Sequence, residues 1–295
     1  ARCTGVVFRE EAAIDVLDMV TVDGDVDFST GDLIFDRSGV QVGGTVRSTF
    51  TVEASDTIIV AGSIEDAVVR SGGDVLVARG ILQGRFGSVR AEGRIEAAFA
   101  NEAQLLAGDS IVVRDSVFRS YLAAREEVRV ADGKGVVVGG TVLAGRRIEV
   151  RVAGSASGVR TVLQVGVDYE RMQELQSRLA DVEKRMAAAA AALGGTLDRF
   201  LRGGPGLKLD ERQAAAATQY TEARDERDAL VEERTRLLQE ARSGGGADAE
   251  IVVLETIHAG VELVVAGVRW RQPESSGGGR FRLQEDEGEL TLRAA

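Results

Sequence analysis

Along most of the first half of the chain, apolar and polar positions alternate in short runs, and the runs repeat. A step containing glycine, aspartate or a charged pair is followed by apolar-x-apolar. It occurs at Ser55-Asp56-Thr57-Ile58-Ile59-Val60, Gly73-Asp74-Val75-Leu76-Val77 and Gly93-Arg94-Ile95-Glu96-Ala97. It returns at Gly108-Asp109-Ser110-Ile111-Val112-Val113, Glu126-Glu127-Val128-Arg129-Val130 and Arg146-Arg147-Ile148-Glu149-Val150. The first apolar positions, Ile58, Val75, Ile95, Ile111, Val128 and Ile148, are 17, 20, 16, 17 and 20 residues apart. A self-similar spacing of this kind is the mark of a repeat architecture, and helical repeats need about 33 residues or more. One coil of a parallel β-helix, three strands of about 4–5 residues with tight bends between them, fits the length.

In such a strand alternate side chains point opposite ways, so Val75 and Val77 share one face, as do Ile111 and Val113. That face is the interior of the solenoid, and Arg94, Glu96, Arg129 and Glu149 fall on the water side. A single coil cannot bury its own inward residues, which explains why many are strung together. The 36 glycines suit tight bends, and the 2 prolines fit coils whose N–H groups are used above and below. The handedness rule for parallel crossovers predicts a right-handed helix.

At Asp168 the periodicity changes from two to three-and-four. Met172, Leu175, Leu179, Val182, Met186, Ala189 and Leu193 form an a/d seam, and Tyr220, Ala223, Arg227, Leu230, Arg234, Leu237 and Ala241 form a second, less regular one. Glu174 with Arg178, Asp181 with Arg185 and Glu232 with Arg236 add acid-to-base support at i,i+4. The breaker Arg202-Gly203-Gly204-Pro205-Gly206-Leu207-Lys208 lies between them, so the reading is a long antiparallel coiled-coil hairpin inserted in a mainly β chain. After Ser243-Gly244-Gly245-Gly246, strands are predicted at Ile251–Leu254, Val261–Val265, Arg280–Leu283 and Glu289–Leu292, capping or extending the rod. The predicted organisation is lead-in strands over 1–21, parallel β-helix over 22–167, hairpin over 168–243 and a C-terminal β segment over 244–295.

Composition narrows the function. A net charge of −11 argues against a nucleic-acid surface, which wants a basic stripe. The lone cysteine, Cys3, leaves no internal disulfide framework and fits a reducing compartment. No apolar run approaches the ~20 residues of a membrane span and no signal peptide opens the chain, so a cytoplasmic protein is expected. The missing initiator methionine points to a processed product or an excised fragment.

Candidate chemistry is sparse. His258 is the single histidine, which excludes a multi-histidine metal site, and no G-x-S-x-G elbow accompanies it. Asp32, Asp56, Asp74 and Asp109 recur at the bends, where aspartate supports a turn by bonding its own backbone; a carbohydrate-cleaving groove is the competing reading. Hexapeptide-repeat acyltransferases share the short period but use a histidine within the rod. Gly133-Lys134-Gly135 and Gly206-Leu207-Lys208 lack the phosphate-loop pattern. No catalytic, cofactor-binding or metal-binding residue is assigned. Trp270 between Arg269 and Arg271 is the most contact-like group, since tryptophan and arginine are common interface anchors; covering a rod end is its alternative role.

The runs GDVDFSTGDLIF, VQVGGTV, AGSIEDAVVRSGGDVLVARGI and GKGVVVGGTVLAGRRIEV, closing in TVLQVGVD, resemble the flagellar assembly protein A (FapA) family of bacterial β-helix proteins. The resemblance extends over the helical segment and the β-rich end. It implies a cytoplasmic, non-enzymatic scaffold or adaptor connected with flagellar assembly or placement, with flagellar or polar-localisation proteins as partners. Members of the family usually carry a further domain before the rod. The partners expected are proteins, including further copies of the chain as a dimer or higher homo-oligomer, with no nucleic acid. A bactofilin-like self-assembling cytoskeletal element is the alternative, and a polysaccharide-active β-helix enzyme the remote one.

Overall fold

The computed structural model describes residues 5–10, 13–84, 87–166, 169–197, 201, 210–244, 249–286 and 289–294. The described chain divides into two compact units, 1–169 with 241–295, and 170–240.

The first unit is a β-solenoid whose strands stack in three parallel columns. Column one registers 19–22, 39–42, 58–60, 75–77, 95–97, 111–113, 127–130, 147–150 and 250–253. Column two begins with bridges from Val26 to Val46 and Val46 to Ile64, then runs through 80–82, 99–101, 116–118, 136–138, 152–153 and 256–257. Column three takes 33–35, 51–54, 68–71, 88–91, 104–107, 121–124, 140–144, 161–165 and 262–265. The alternation predicted the inward positions Ile58, Val75, Ile95, Ile111, Val128 and Ile148, which lie on one another down column one with Val40 before them and Ile251 after, all fully buried. At about 25 cal/mol per Å² of apolar area removed from water, this ladder supplies the main drive for stacking coils.

The bends differ from expectation. Asp56 does bond locally, accepting the N–H of Thr57. Asp32 and Asp74 instead accept the N–H of Thr51 and Arg94, each 2.8 Å away and one coil further on. Asp109 takes the hydroxyl of Ser110. Tier-to-tier capping explains the glycine that follows one coil later: a Cβ at Gly93 would collide with the Asp74 carboxylate, and one at Gly44 with that of Asp25. The corner between columns two and three turns on a left-handed residue that need not be glycine, as at Asp66, Glu102 and Arg119.

Two strands precede the solenoid, Gly5–Glu10 and Ala13–Val22, and they pair antiparallel through residues 5–10 and 13–18. At the other end two antiparallel strands close the last tier. Val268–Arg271, absent from the predicted strands, folds back on 262–265 through a two-residue turn with positive φ at Ala266 and Gly267. Ser276–Asp286 runs along 250–257, pairs in turn with Glu289–Ala294, and seats Phe281 in the core.

The second unit holds helices α1 (Tyr169–Leu193) and α2 (Glu211–Gly244). Met172, Leu175, Leu179, Val182, Ala189 and Leu193 of the first seam are buried, as are Ala223, Leu230 and Leu237 of the second. Arg234, placed in the seam by its spacing, is exposed, and Arg227 is half-buried with its guanidinium on Asp228. Helix α1 ends where Gly194 takes a left-handed φ. Helix α2 starts with a reciprocal cap: Gln213 N–H donates to Asp210 Oδ1 at 2.7 Å, and Asp210 N–H donates to Gln213 Oε1 at 3.3 Å. Arg171 pairs with Glu233 and Arg185 with Glu226, and Leu193 packs with Ala216 and Ala217. The breaker at 202–208, including Gly206-Leu207-Lys208, lies outside the described residues, as does Cys3.

Candidate functional site

The corner aspartates cap neighbouring coils or adjacent residues. His258 is half-buried, with Nδ1 3.4 Å from the Ser275 hydroxyl. Among the described residues no group of three His, Cys, Asp or Glu is placed to hold a metal ion.

Asp25 shows how a corner carboxylate is held. Thr45 N–H donates to Oδ1 at 2.8 Å, and Arg47 bonds Oδ2 while reaching Glu65 one coil on. The Thr45 bond, then the Arg47 bond, keep its pKa below the ordinary carboxylate value. Asp27 is lowered as well, first by the Ser29 hydroxyl and then by the Ser29 N–H.

A polar cleft of about 360 Å³ opens where column three turns into column one, lined by Glu126, Glu127, Arg146, Arg147 and Glu250. Its charges answer one another. Arg146 pairs with Glu126 at 3.3 Å, and Arg147 with Glu127, Glu149 and Glu250. Glu250 is buried to 7% side-chain exposure and also takes Arg280 at 3.6 Å and Arg282 at 2.6 Å. Such a neutralised network locks the tier that follows the helices onto the tier that precedes them.

The predicted contact group stands on the strand Val268–Arg271. Trp270 is 44% exposed and lies opposite Leu263, with its indole N–H donating to Gln272 Oε1 at 3.3 Å. Arg269 is tied to Glu262 at 2.8 Å, and Arg271 is exposed. The strand thus seats on the last coil with its tryptophan partly exposed.

The spacing argument missed a second exposed apolar group on the outer face of column two. Phe118 (42% exposed) and Leu82 (36%) are successive outward positions on either side of Asn101, and the Phe99 ring covers Gly80. Ile81-Leu82 and Val117-Phe118 set an apolar residue beside an inward one, a pattern that marks the surface only once the register is known.

With this geometry in place, comparison with known proteins adds one result. The family model for the Flagellar Assembly Protein A beta solenoid domain matches residues 18–290. Neither the curated proteins nor the solved structures yield a match. A match over nearly the whole chain, on a three-column solenoid, shows that this protein belongs to the FapA family.

Proposed function

We propose that the protein is a non-enzymatic cytoplasmic scaffold or adaptor that works in flagellar assembly or placement by binding other proteins. The family match over residues 18–290 is the observation that carries the flagellar assignment. The corner carboxylates support the non-enzymatic part, because Asp25, Asp32 and Asp74 each accept a backbone N–H from the next coil. Exposed Phe118, Leu82 and Trp270 on fixed ladders support a binding role, since large apolar and aromatic side chains at the surface are typical anchors. In this reading the solenoid is right-handed and the helices form a coiled-coil arm. No helix among the described residues is long and apolar enough to cross a membrane.

The filament alternative requires tiers of separate copies to stack end to end. The antiparallel strands over the last coil favour the adaptor, because an end closed that way offers no open parallel edge. The test is to replace the gene in a flagellated host with a Phe118→Lys, Trp270→Ala variant and count and locate flagella. Misplaced or missing flagella with normal protein levels are expected. Wild-type flagella both in this variant and in a full deletion would contradict the proposal.

A further inference from the structure

The two ends of the solenoid are finished differently. At the last tier all three columns gain an antiparallel neighbour. At the first, Leu33–Phe35 pairs only with 52–54 among the described residues, and Val26 makes a single bridge to Val46. Among the described residues, one backbone edge of this tier is therefore without a strand partner. The same tier presents the two most exposed large apolar residues of the described chain, Phe28 at 95% and Ile34 at 68%.

These exposed groups sit on ordered backbone. Phe28 belongs to a turn in which Asp27 Oδ1 accepts both the N–H and the hydroxyl of Ser29, while Thr30 and Gly31 N–H donate to the Asp27 carbonyl. Its ring meets Phe50 of the next coil edge-on at 5.2 Å, which fixes its direction. Ile34 occupies the outward position of the edge strand, between buried Leu33 and half-buried Phe35. Charge then distinguishes among occupants. Between residues 23 and 37 the charged side chains are Asp23, Asp25, Asp27, Asp32 and Asp36 against Arg37. Arg47 neutralises Asp25, but Asp23 and Asp36 are exposed. A second copy would bring an equally acidic end against this one and be repelled.

We propose that the first tier is a docking edge for an extended segment of a partner protein in which apolar residues alternate with lysine or arginine. The segment adds a strand beside Leu33–Phe35, its apolar side chains cover Phe28 and Ile34, and its basic side chains meet Asp36 at the end of that strand. This rests on the protein-binding reading above, but its test does not depend on flagella.

The experiment uses the whole chain and a panel of labelled eight-residue peptides alternating arginine with valine, isoleucine or phenylalanine, read by fluorescence anisotropy. The same peptides with glutamate for arginine serve as controls. At least one arginine peptide is expected to bind with a Kd of about 0.1 mM or tighter and to weaken severalfold as salt is raised. Phe28→Ser with Ile34→Lys should weaken it about tenfold. Asp36→Asn, which leaves the apolar anchors in place, should lower affinity and flatten the salt dependence. Unchanged melting curves will show that both variants fold. The proposal is overturned if no arginine peptide binds at about 1 mM, if glutamate peptides bind equally, or if the variants bind as the parent does. It is also overturned if the protein self-associates in a way that Phe28→Ser, Ile34→Lys abolishes, because a second copy would then occupy the edge.

Discussion

Ile251 is the direct parallel β partner of Ile148, although both helices lie between them in the sequence. Nearby, Arg151 bonds Glu255, 104 positions later, across the same tier boundary. The helices are thus an insertion into one continuous solenoid, entering after the tier that ends at Val165 and leaving before the one that starts at Glu250.

Insertion at a tier boundary predicts separability. Leu179→Asp with Leu230→Asp places two carboxylates at buried helix positions, where each costs about 3–5 kcal/mol of packing and desolvation. Circular dichroism should lose helical signal and keep the β signal with its own melting transition. Loss of both together would refute a solenoid that folds without the helices.

Glu250 is the charged clasp of that boundary, nearly buried among Arg147, Arg280 and Arg282. Glu250→Gln removes the carboxylate on which Arg280 and Arg282 converge, and one of the three that Arg147 meets, and should destabilise the first unit by about 3 kcal/mol. Denaturant titration checks this. A loss below about 0.5 kcal/mol would show the network to be idle.

The glycines that accommodate the cross-tier carboxylates of Asp25 and Asp74 predict coupling. Gly93→Ala forces a methyl group against the Asp74 carboxylate and should cost about 2 kcal/mol. In an Asp74→Ala background the same change should cost much less, because the obstruction is gone. A double-mutant cycle measures the difference, and additive losses would contradict the packing argument.

Acid should attack the first coils. The pKa values of Asp25 and Asp27 are lowered in the folded protein, so the stability they confer is complete above the unfolded carboxylate value of about 3.9. It is lost as pH falls below that value and through the folded pKa. Stability measured from pH 5 down to pH 2 should therefore fall more steeply in the parent than in Asp25→Asn. Equal slopes would show that Asp25 contributes nothing.

Much of the solenoid was legible because its determinant is local. An inward pair such as Ile111 and Val113 announces itself by alternation, and repetition at a near-constant period orders the coils. What escaped depends on residues far apart in the chain. Nothing near Asp74 signals that its partner is Arg94 N–H one coil on, and Arg227 and Arg234 fit a heptad count without being interior. The strand at Trp270 was hidden because its turn uses Ala266-Gly267, which lacks the Asn-Gly or Asp-Gly of a typical tight hairpin. Of the candidate surface, Arg269, Trp270 and Arg271 were visible by composition. Phe118 and Leu82 were not, because an apolar residue beside an inward one reads as core until the register is known.

The reading of this protein as an adaptor with one closed end, and not as a unit of a growing rod, is tested most directly by light scattering coupled to size exclusion over a wide range of protein concentration. The account predicts a small, constant mass at every concentration. A mass that climbs with concentration would mean that the solenoid ends pair with one another, and the filament would replace the adaptor.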